Sequence, residues 1–448
     1  MKSLNDYLAE PHRYRSQLAK LHAKHAQSWR MYHLKQDEVT LASLVSNESQ
    51  FAKVMAKTVV KENYQLRHAE LKTVTVNNKE RELFAFQLTD YILHGVVADL
   101  ILEIMQPHFS PRLYSYLKGK NWWHAVQDFT DYIRSYRKQV RDPRQRGLYV
   151  LRRDIKSYTD TIPVGNQSPV WKQLQQLFHL NSIEDEERLW NLVQKILRPE
   201  VITEKGNLFT KLQGVPTGSP ISTTLFNLYL HPLDVTLDQI PGAFYARYSD
   251  DLLFAHPDQE IVTFAKTKMD ELLHQLILQT NPEKEKSLYF NQAGRASENY
   301  PDVKPTNVIT FLGCSIYFDG TVSLKDKKIG QLLSDLRHRA KATIKSSDWQ
   351  AYDETKKGKL ICQVINTALN PNSLFPNKYA SFLRKIITSR PQLKHIDYLI
   401  AKLVLEMVAG NKSARSFQKI TYKTIRQEWG LISLYHTRNK VKKSHEQA

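Results

Sequence analysis

Apolar and polar positions repeat with two periods along this chain. Leu148 to Ile155, L-Y-V-L-R-R-D-I, is an apolar strand pattern whose acid is Asp154. Ala243 to Ala255, A-F-Y-A-R-Y-S-D-D-L-L-F-A, predicts a hairpin, with Asp250 and Asp251 at its turn. From Leu71, L-K-T-V-T-V-N-N-K-E-R-E-L-F-A-F is also strand-like, and Asn77-Asn78 supplies a turn. Helical spacing takes over in residues 1–65, in 165–205, in Leu225 to Leu237, in Ile261 to Leu278 and in the region after Leu324. Between helical runs, Gln213 to Ser222, Q-G-V-P-T-G-S-P-I-S, reads as a shaped loop that opens into a helix. Asn291 to Asn307 reads as a polar loop with little packing potential, free to contact a partner or to move.

The acids give this pattern a chemistry. Adjacent carboxylates repel, so a site that keeps both ionised needs a cation, and oxygen donors without His or Cys favour Mg²⁺. A strand that delivers Asp154 beside a hairpin that delivers Asp250 and Asp251 gathers three acids, the ligand set of two-metal phosphoryl transfer. Gly214 and Gly218 let backbone approach a ligand closely, as the wall of a nucleotide pocket requires. The bland alternative for Asp250-Asp251 is a solvated turn.

Composition narrows the partner. A formal charge of +19 points to a polyanion, and the excess is mostly C-terminal, with 25 Lys and Arg against 9 Asp and Glu from Lys325 to Ala448. Two cysteines, Cys314 and Cys362, are too few for a disulfide scaffold or a zinc site and fit a reducing cytoplasm. No signal peptide or membrane-length apolar run is evident, so a soluble protein without a membrane partner is expected.

The ordered set V-L-R-R-D-I-K-S-Y, Q-G-V-P-T-G-S-P-I-S, Y-S-D-D, N-P-E-K and F-L-G resembles the reverse transcriptases, specifically the bacterial branch with group II intron, retron and defence-associated enzymes. The resemblance implies an α+β right-hand polymerase fold, with fingers and an antiparallel palm sheet over 66–325. A helical extension would precede it at 1–65, and a basic helical thumb would follow at 326–448. It implies RNA-directed DNA synthesis from dNTPs with two Mg²⁺ ions, Mn²⁺ being the alternative. Asp154, Asp250 and Asp251 would hold the metals with the carbonyl of Ile155. Lys79, Arg81, Gln213, Gly214 and Lys284 would line the incoming nucleotide. Lys118, Lys120, Tyr248, Phe311, Leu312 and Gly313 would face nucleic acid. The expected partners are a structured noncoding RNA template, the DNA product and dNTPs, in an antiphage role.

Several readings stay open at this level. Relatives place an aromatic ring five positions after the first aspartate to exclude ribose. Here that position is Thr159 and the ring is Tyr158. Either Tyr158 is the gate, or discrimination against ribonucleotides is relaxed, which would admit RNA synthesis. The basic, aromatic stretch from Arg13 to Arg30 suits RNA binding or helix packing equally. Trp122 and Trp123 read as fingers core, Lys341 to Lys359 as a hinge, and R-N-K-V-K-K-S-H as a frayed end. No nuclease, integrase or ribonuclease H module is expected. Template-independent or protein-primed synthesis is the alternative activity, and a non-catalytic RNA-binding scaffold is the alternative of another class. Template, primer and oligomeric state are not legible.

Overall fold

Where the sequence alternates, the chain forms strands, and its i, i+3, i+4 runs form helices. The computed structural model describes residues 3–25, 35–36, 39–76, 79–142, 146–181, 183, 186–345, 348–374, 376–410 and 416–437. The expected α+β class is found. Two units each draw on separated stretches: 1–120, 151–254 and 260–286 in the first, 121–150, 255–259 and 287–448 in the second.

The first unit contains a sheet of β1 (Ala69–Val76), β2 (Lys79–Ala85), β4 (Glu200–Ile202) and β5 (Leu208–Thr210), in the order β2-β1-β4-β5. β1 and β2 are antiparallel, with Val74 opposite Arg81. The Asn77-Asn78 turn lies outside the described residues. A second group of strands places the end of β3 (Gly147–Asp154) beside β7 (Asp251–His256), which pairs with β6 (Phe244–Tyr248). β6 and β7 are the predicted hairpin with its acidic turn. Their interior positions are fully buried, as the near-continuous apolar run requires.

Helix Leu88–Met105 runs through this unit with Ile92, Val96, Val97 and Ile101 buried. The N-terminal helix Pro11–His25 turns Tyr14, Leu18 and Leu21 inward, and Gln17 donates to the Gly95 carbonyl at 3.1 Å. Residues 13–25 of the basic stretch thus pack as a helix, with Arg15, Lys20 and Lys24 left exposed, and residues 26–30 lie outside the described residues. A Cβ on Gly95 would stand 2.5 Å from Gln17 Oε1, so the approach depends on glycine.

In the second unit, helix Trp122–Gln139 accompanies the parallel pair β8 (Lys286–Asn291) and β9 (Lys304–Thr306), and the antiparallel meander β10 (Val308–Phe311), β11 (Cys314–Tyr317) and β12 (Val322–Leu324). The basic C-terminal region is helical, as expected, with helices Asp326–Ile344, Glu354–Ala368 and Arg390–Ala409 packed on one another. Residues 346–347 of the expected hinge and the basic end from 438 lie outside the described residues.

Two expectations change here. The polar loop after Asn291 is tied down by its own polar groups. The Asn291 side chain accepts from the amides of Ala293 and Arg295 and donates to the Arg295 carbonyl, while Tyr149 and Ser297 share a hydrogen bond of 2.5 Å. Trp122, half-buried, packs against Phe382 from the C-terminal region with ring centroids 4.9 Å apart, and both residues lie in this second unit.

Candidate active site

All three acids lie in the first unit. β3 carries Asp154 at its end, and the backbone beyond is clamped by the segment after helix Gln259–Gln275. The Asp154 carbonyl accepts from Asn281 N at 2.8 Å, and Lys156 N donates to the Gln279 carbonyl at 2.8 Å. Asn281 accepts from Glu283 N at 3.2 Å and caps the single turn Pro282–Lys284. That turn sets the Lys284 ammonium 2.7 Å from Asp154 Oδ1.

β3 and β7 are hydrogen-bonded neighbours in the sheet, and just beyond the end of β3 Ile155 N donates to the Asp250 carbonyl at 3.1 Å. Arg152, two residues before Asp154 and hence on the same face of the strand, donates to Asp251 Oδ1 at 2.9 Å. Burial raises the Asp250 carboxyl above its ordinary range. The neighbouring Asp251 and Asp154 push it the same way, while Lys284 opposes them. Among the described residues, no three His, Cys, Asp or Glu side chains stand as a ready-made metal cluster. The donor set still fits hard divalent ions, being carboxylates only, with two of the three held by cations of the chain itself.

Beneath the turn lies a network that sequence reasoning missed. Arg247 is wholly buried on β6 and donates to both oxygens of Asp234, also wholly buried, at 2.7 and 2.5 Å. Tyr245 adds a hydrogen bond to Asp234 at 2.7 Å. Asn227, in helix Ile221–Tyr229, donates to the Ser115 carbonyl at 2.8 Å, and the Ser115 hydroxyl accepts from Ser249 N at 3.0 Å. That last bond holds Ser249 at a φ of 58°, the left-handed conformation the turn needs and one that a serine resists. The available signal was a charge inside an apolar strand, Arg247 in F-Y-A-R-Y, which buries only if an acid meets it.

The glycine loop reaches the same place. Val215 N donates to the Thr159 carbonyl at 3.0 Å and Gly214 N to the Ile162 carbonyl at 2.7 Å, so the loop runs along the turn that follows Asp154. Gly214 has a φ of 81°, and a Cβ there would stand 3.0 Å from the Asp160 carbonyl oxygen. At Gly218 a Cβ would stand 2.4 Å from the Phe84 carbonyl oxygen, while Phe84 N donates to the Thr217 carbonyl at 2.9 Å. These contacts bring β2, with the exposed Arg81, to the loop. Gln213 is exposed beside it.

The gate reading of Tyr158 does not survive. Its ring is 2% exposed and packs on Phe226, and its hydroxyl donates to the Phe226 carbonyl at 2.6 Å. A ring committed to the core presents no face to a sugar. Thr159 is half-buried, and no ring stands at its position.

The remaining candidates are placed as follows. Lys118 is exposed, whereas the Lys120 ammonium donates to the Pro111 carbonyl at 2.8 Å and lies over the Tyr114 ring. Tyr248 is half-buried at the end of β6. The side chain of Lys79 lies outside the described residues. Phe311, Leu312 and Gly313 belong to the second unit, at the turn between β10 and β11. There the Lys328 ammonium donates to the Leu312 carbonyl and sits 3.5 Å from the centroid of the Trp122 ring.

Asp154 at a strand end, Asp250 and Asp251 at the neighbouring hairpin turn, and a glycine loop along the turn after Asp154 are the parts expected of a nucleotidyl-transfer site. The family model for reverse transcriptase (RNA-dependent DNA polymerase) matches residues 77–316, more than half of the chain, and the chain belongs to that family. Similar solved structures include telomerase from Candida tropicalis in complex with a TWJ fragment of telomeric RNA. It has 12% identity and a TM-score of 0.48, over 92% of this chain and 69% of that one. Telomerase from Candida albicans in complex with a TWJ fragment of telomeric RNA has 12% identity and a TM-score of 0.45, over 86% and 65%. A C-terminally truncated apo telomerase from Candida tropicalis has 14% identity and a TM-score of 0.43, over 64% and 60%. This chain thus spans 65% and 60% of the length of the last two. No curated protein matches it.

Proposed function

We propose that this chain is an active RNA-directed DNA polymerase of the bacterial group II intron and retron-like branch, copying a structured noncoding RNA from dNTPs in antiphage defence. The observation that carries the activity is the Ile155 to Asp250 backbone bond, which seats the strand of one acid against the turn of the other two. Divalent ions held by Asp154, Asp250 and Asp251, Mg²⁺ being the expected one, would supply charge neutralisation on the phosphates and a more acidic 3′-hydroxyl. The chain's own part is positioning. The backbone around Gly214 shapes the nucleotide wall, Lys284 offers a cation at its edge, and the Arg247 network keeps the turn from relaxing. The basic C-terminal helices suit a polyanionic template and product. Within this reading, β1, β2 and the glycine loop serve as fingers, β3, β6 and β7 as palm, and the helices from Asp326 as thumb.

The test is extension of a DNA primer on an RNA template by the wild type, Asp154→Asn and Asp250→Asn. Either substitution should slow extension by at least about a thousandfold, roughly 4 kcal/mol of transition-state stabilisation. A wild type that extends nothing with Mg²⁺ or Mn²⁺, or variants that extend normally, would sink the reading. For the partner RNA, nucleic acid co-purifying with the wild type and with Asp250→Ala/Asp251→Ala is sequenced. One RNA on both proteins, with complementary DNA on the wild type alone, is the expected result.

Burial of Tyr158 favours a second reading of substrate choice, relaxed discrimination against ribose. ATP and dATP should then be incorporated within about tenfold of one another on the same template. A preference for dATP above about a thousandfold would contradict it.

A further inference from the structure

Two of the three carboxylates already hold a cation, and the two cations differ in how firmly they are placed. Arg152 stands on β3 itself, its side chain 23% exposed, and its hold on Asp251 is built into the alternation of the strand. Lys284 ends a one-turn helix and its side chain is 58% exposed. Its flexible stem can leave Asp154 without disturbing any packed element. An ammonium 2.7 Å from a carboxylate oxygen occupies a lone pair that a metal ion would take, and a dication arriving there would repel it.

We infer that Lys284 is a placeholder cation: in the nucleotide-free protein its ammonium occupies Asp154 in place of a divalent ion, while Arg152 stays on Asp251. Lys284 thereby keeps the site weakly metallated until phosphates are present to receive its charge. The inference rests on the polymerase reading for the identity of the metal-binding acids. Lys284 is a positioning residue here, acting through Asp154.

Binding of Mn²⁺ to the full chain, without nucleotide, is measured by the electron paramagnetic resonance of the free ion for wild type, Lys284→Met, Arg152→Met and Asp154→Asn, with primer extension in parallel. Lys284→Met should bind Mn²⁺ about tenfold more tightly than wild type yet extend primers more slowly, and Arg152→Met should shift the affinity less than about threefold. Asp154→Asn should lose the tight site. Equal or weaker Mn²⁺ binding by Lys284→Met overturns the inference. So does an equal gain from Arg152→Met, which would mean that any nearby positive charge has the same effect. The two readings fail separately. A wild type that extends primers beside a Lys284→Met protein of unchanged affinity removes the placeholder and keeps the polymerase. A wild type that extends nothing beside a variant of raised affinity does the reverse.

Discussion

The acidic turn and the network under it are only a few residues apart, and they treat charge in opposite ways. Asp234 and Arg247 are both wholly buried, and each finds its full complement of partners: Arg247 reaches both oxygens of Asp234, and Tyr245 adds a third bond. Asp250 is only partly buried, yet it faces two other carboxylates, and its proton is held more tightly than usual. The paired charges fix the shape of the hairpin. The opposed charges draw cations, and the fold already supplies two of its own, Lys284 on Asp154 and Arg152 on Asp251. The proposed site sits where the chain is electrostatically least comfortable, and comfort is concentrated immediately beneath it.

The comparison can be broken most sharply from the paired side. Asp234→Ala strands a guanidinium in a dry interior, and removing one partner of a buried ion pair costs about 3–5 kcal/mol. Denaturant unfolding of the variant should show a loss of that size. Replacing both partners, with Asp234→Leu and Arg247→Met, should recover most of the stability. It should not recover primer extension, because Arg247 also donates to the Ser249 carbonyl at 3.4 Å and to the Asn227 carbonyl at 3.2 Å, and the left-handed turn would lose that support. A double variant that extended like wild type would show that the network supports the fold alone.

What the sequence showed follows the same division. Asp154, Asp250 and Asp251 were legible because acids in apolar runs are rare, and the strand and hairpin periods around them are strong. The glycine loop was legible because two prolines and two glycines fit little else. The network was not, because Ser115, Asn227, Asp234 and Arg247 look like unrelated polar residues until tertiary packing brings them together. The place of Tyr158 was open because sequence position does not say which face of a one-turn helix enters the core, and the Phe226 carbonyl decides it. The order of the loop after Asn291 is invisible in the sequence because it comes from one side chain satisfying three backbone groups, which leaves no periodic trace.

A group that is buried, neutral and polar separates the effect of burial from that of charge pairing. His94 lies in helix Leu88–Met105 with Nδ1 3.0 Å from Ser219 Oγ, and burial pushes its pKa down to about 3. Its folded value lies below the unfolded one, so it adds nothing above about pH 6.5 and destabilises the fold as pH falls toward 3. The loss attributable to His94 should reach about 3 kcal/mol at pH 4. Unfolding of wild type and His94→Gln between pH 7 and 4 measures it as the difference in slope. Parallel pH profiles would mean that burial without a charged partner is not costly at this helix.

The smallest expected effect sharpens the comparison from the opposed side. Because the folded pKa of Asp250 is raised, its contribution favours folding below the unfolded value near 3.8 and is lost as pH rises through the folded value. At neutral pH the ionised turn therefore works against the fold. Asp250→Asn removes that charge while keeping the side-chain shape, so in metal-free buffer it should be more stable than wild type by about 1 kcal/mol at pH 7. The gain should shrink as the pH falls through the raised folded value, because wild type then takes up the proton itself. In the proposed polymerase reading the same variant would lack a metal ligand and should not extend primers, so stability and activity would move in opposite directions on one atom exchange. If Asp250→Asn were instead less stable at pH 7, the carboxylate would be accepting more from the turn than its neighbours take away. The acidic turn would then be satisfied in the same way as the network beneath it.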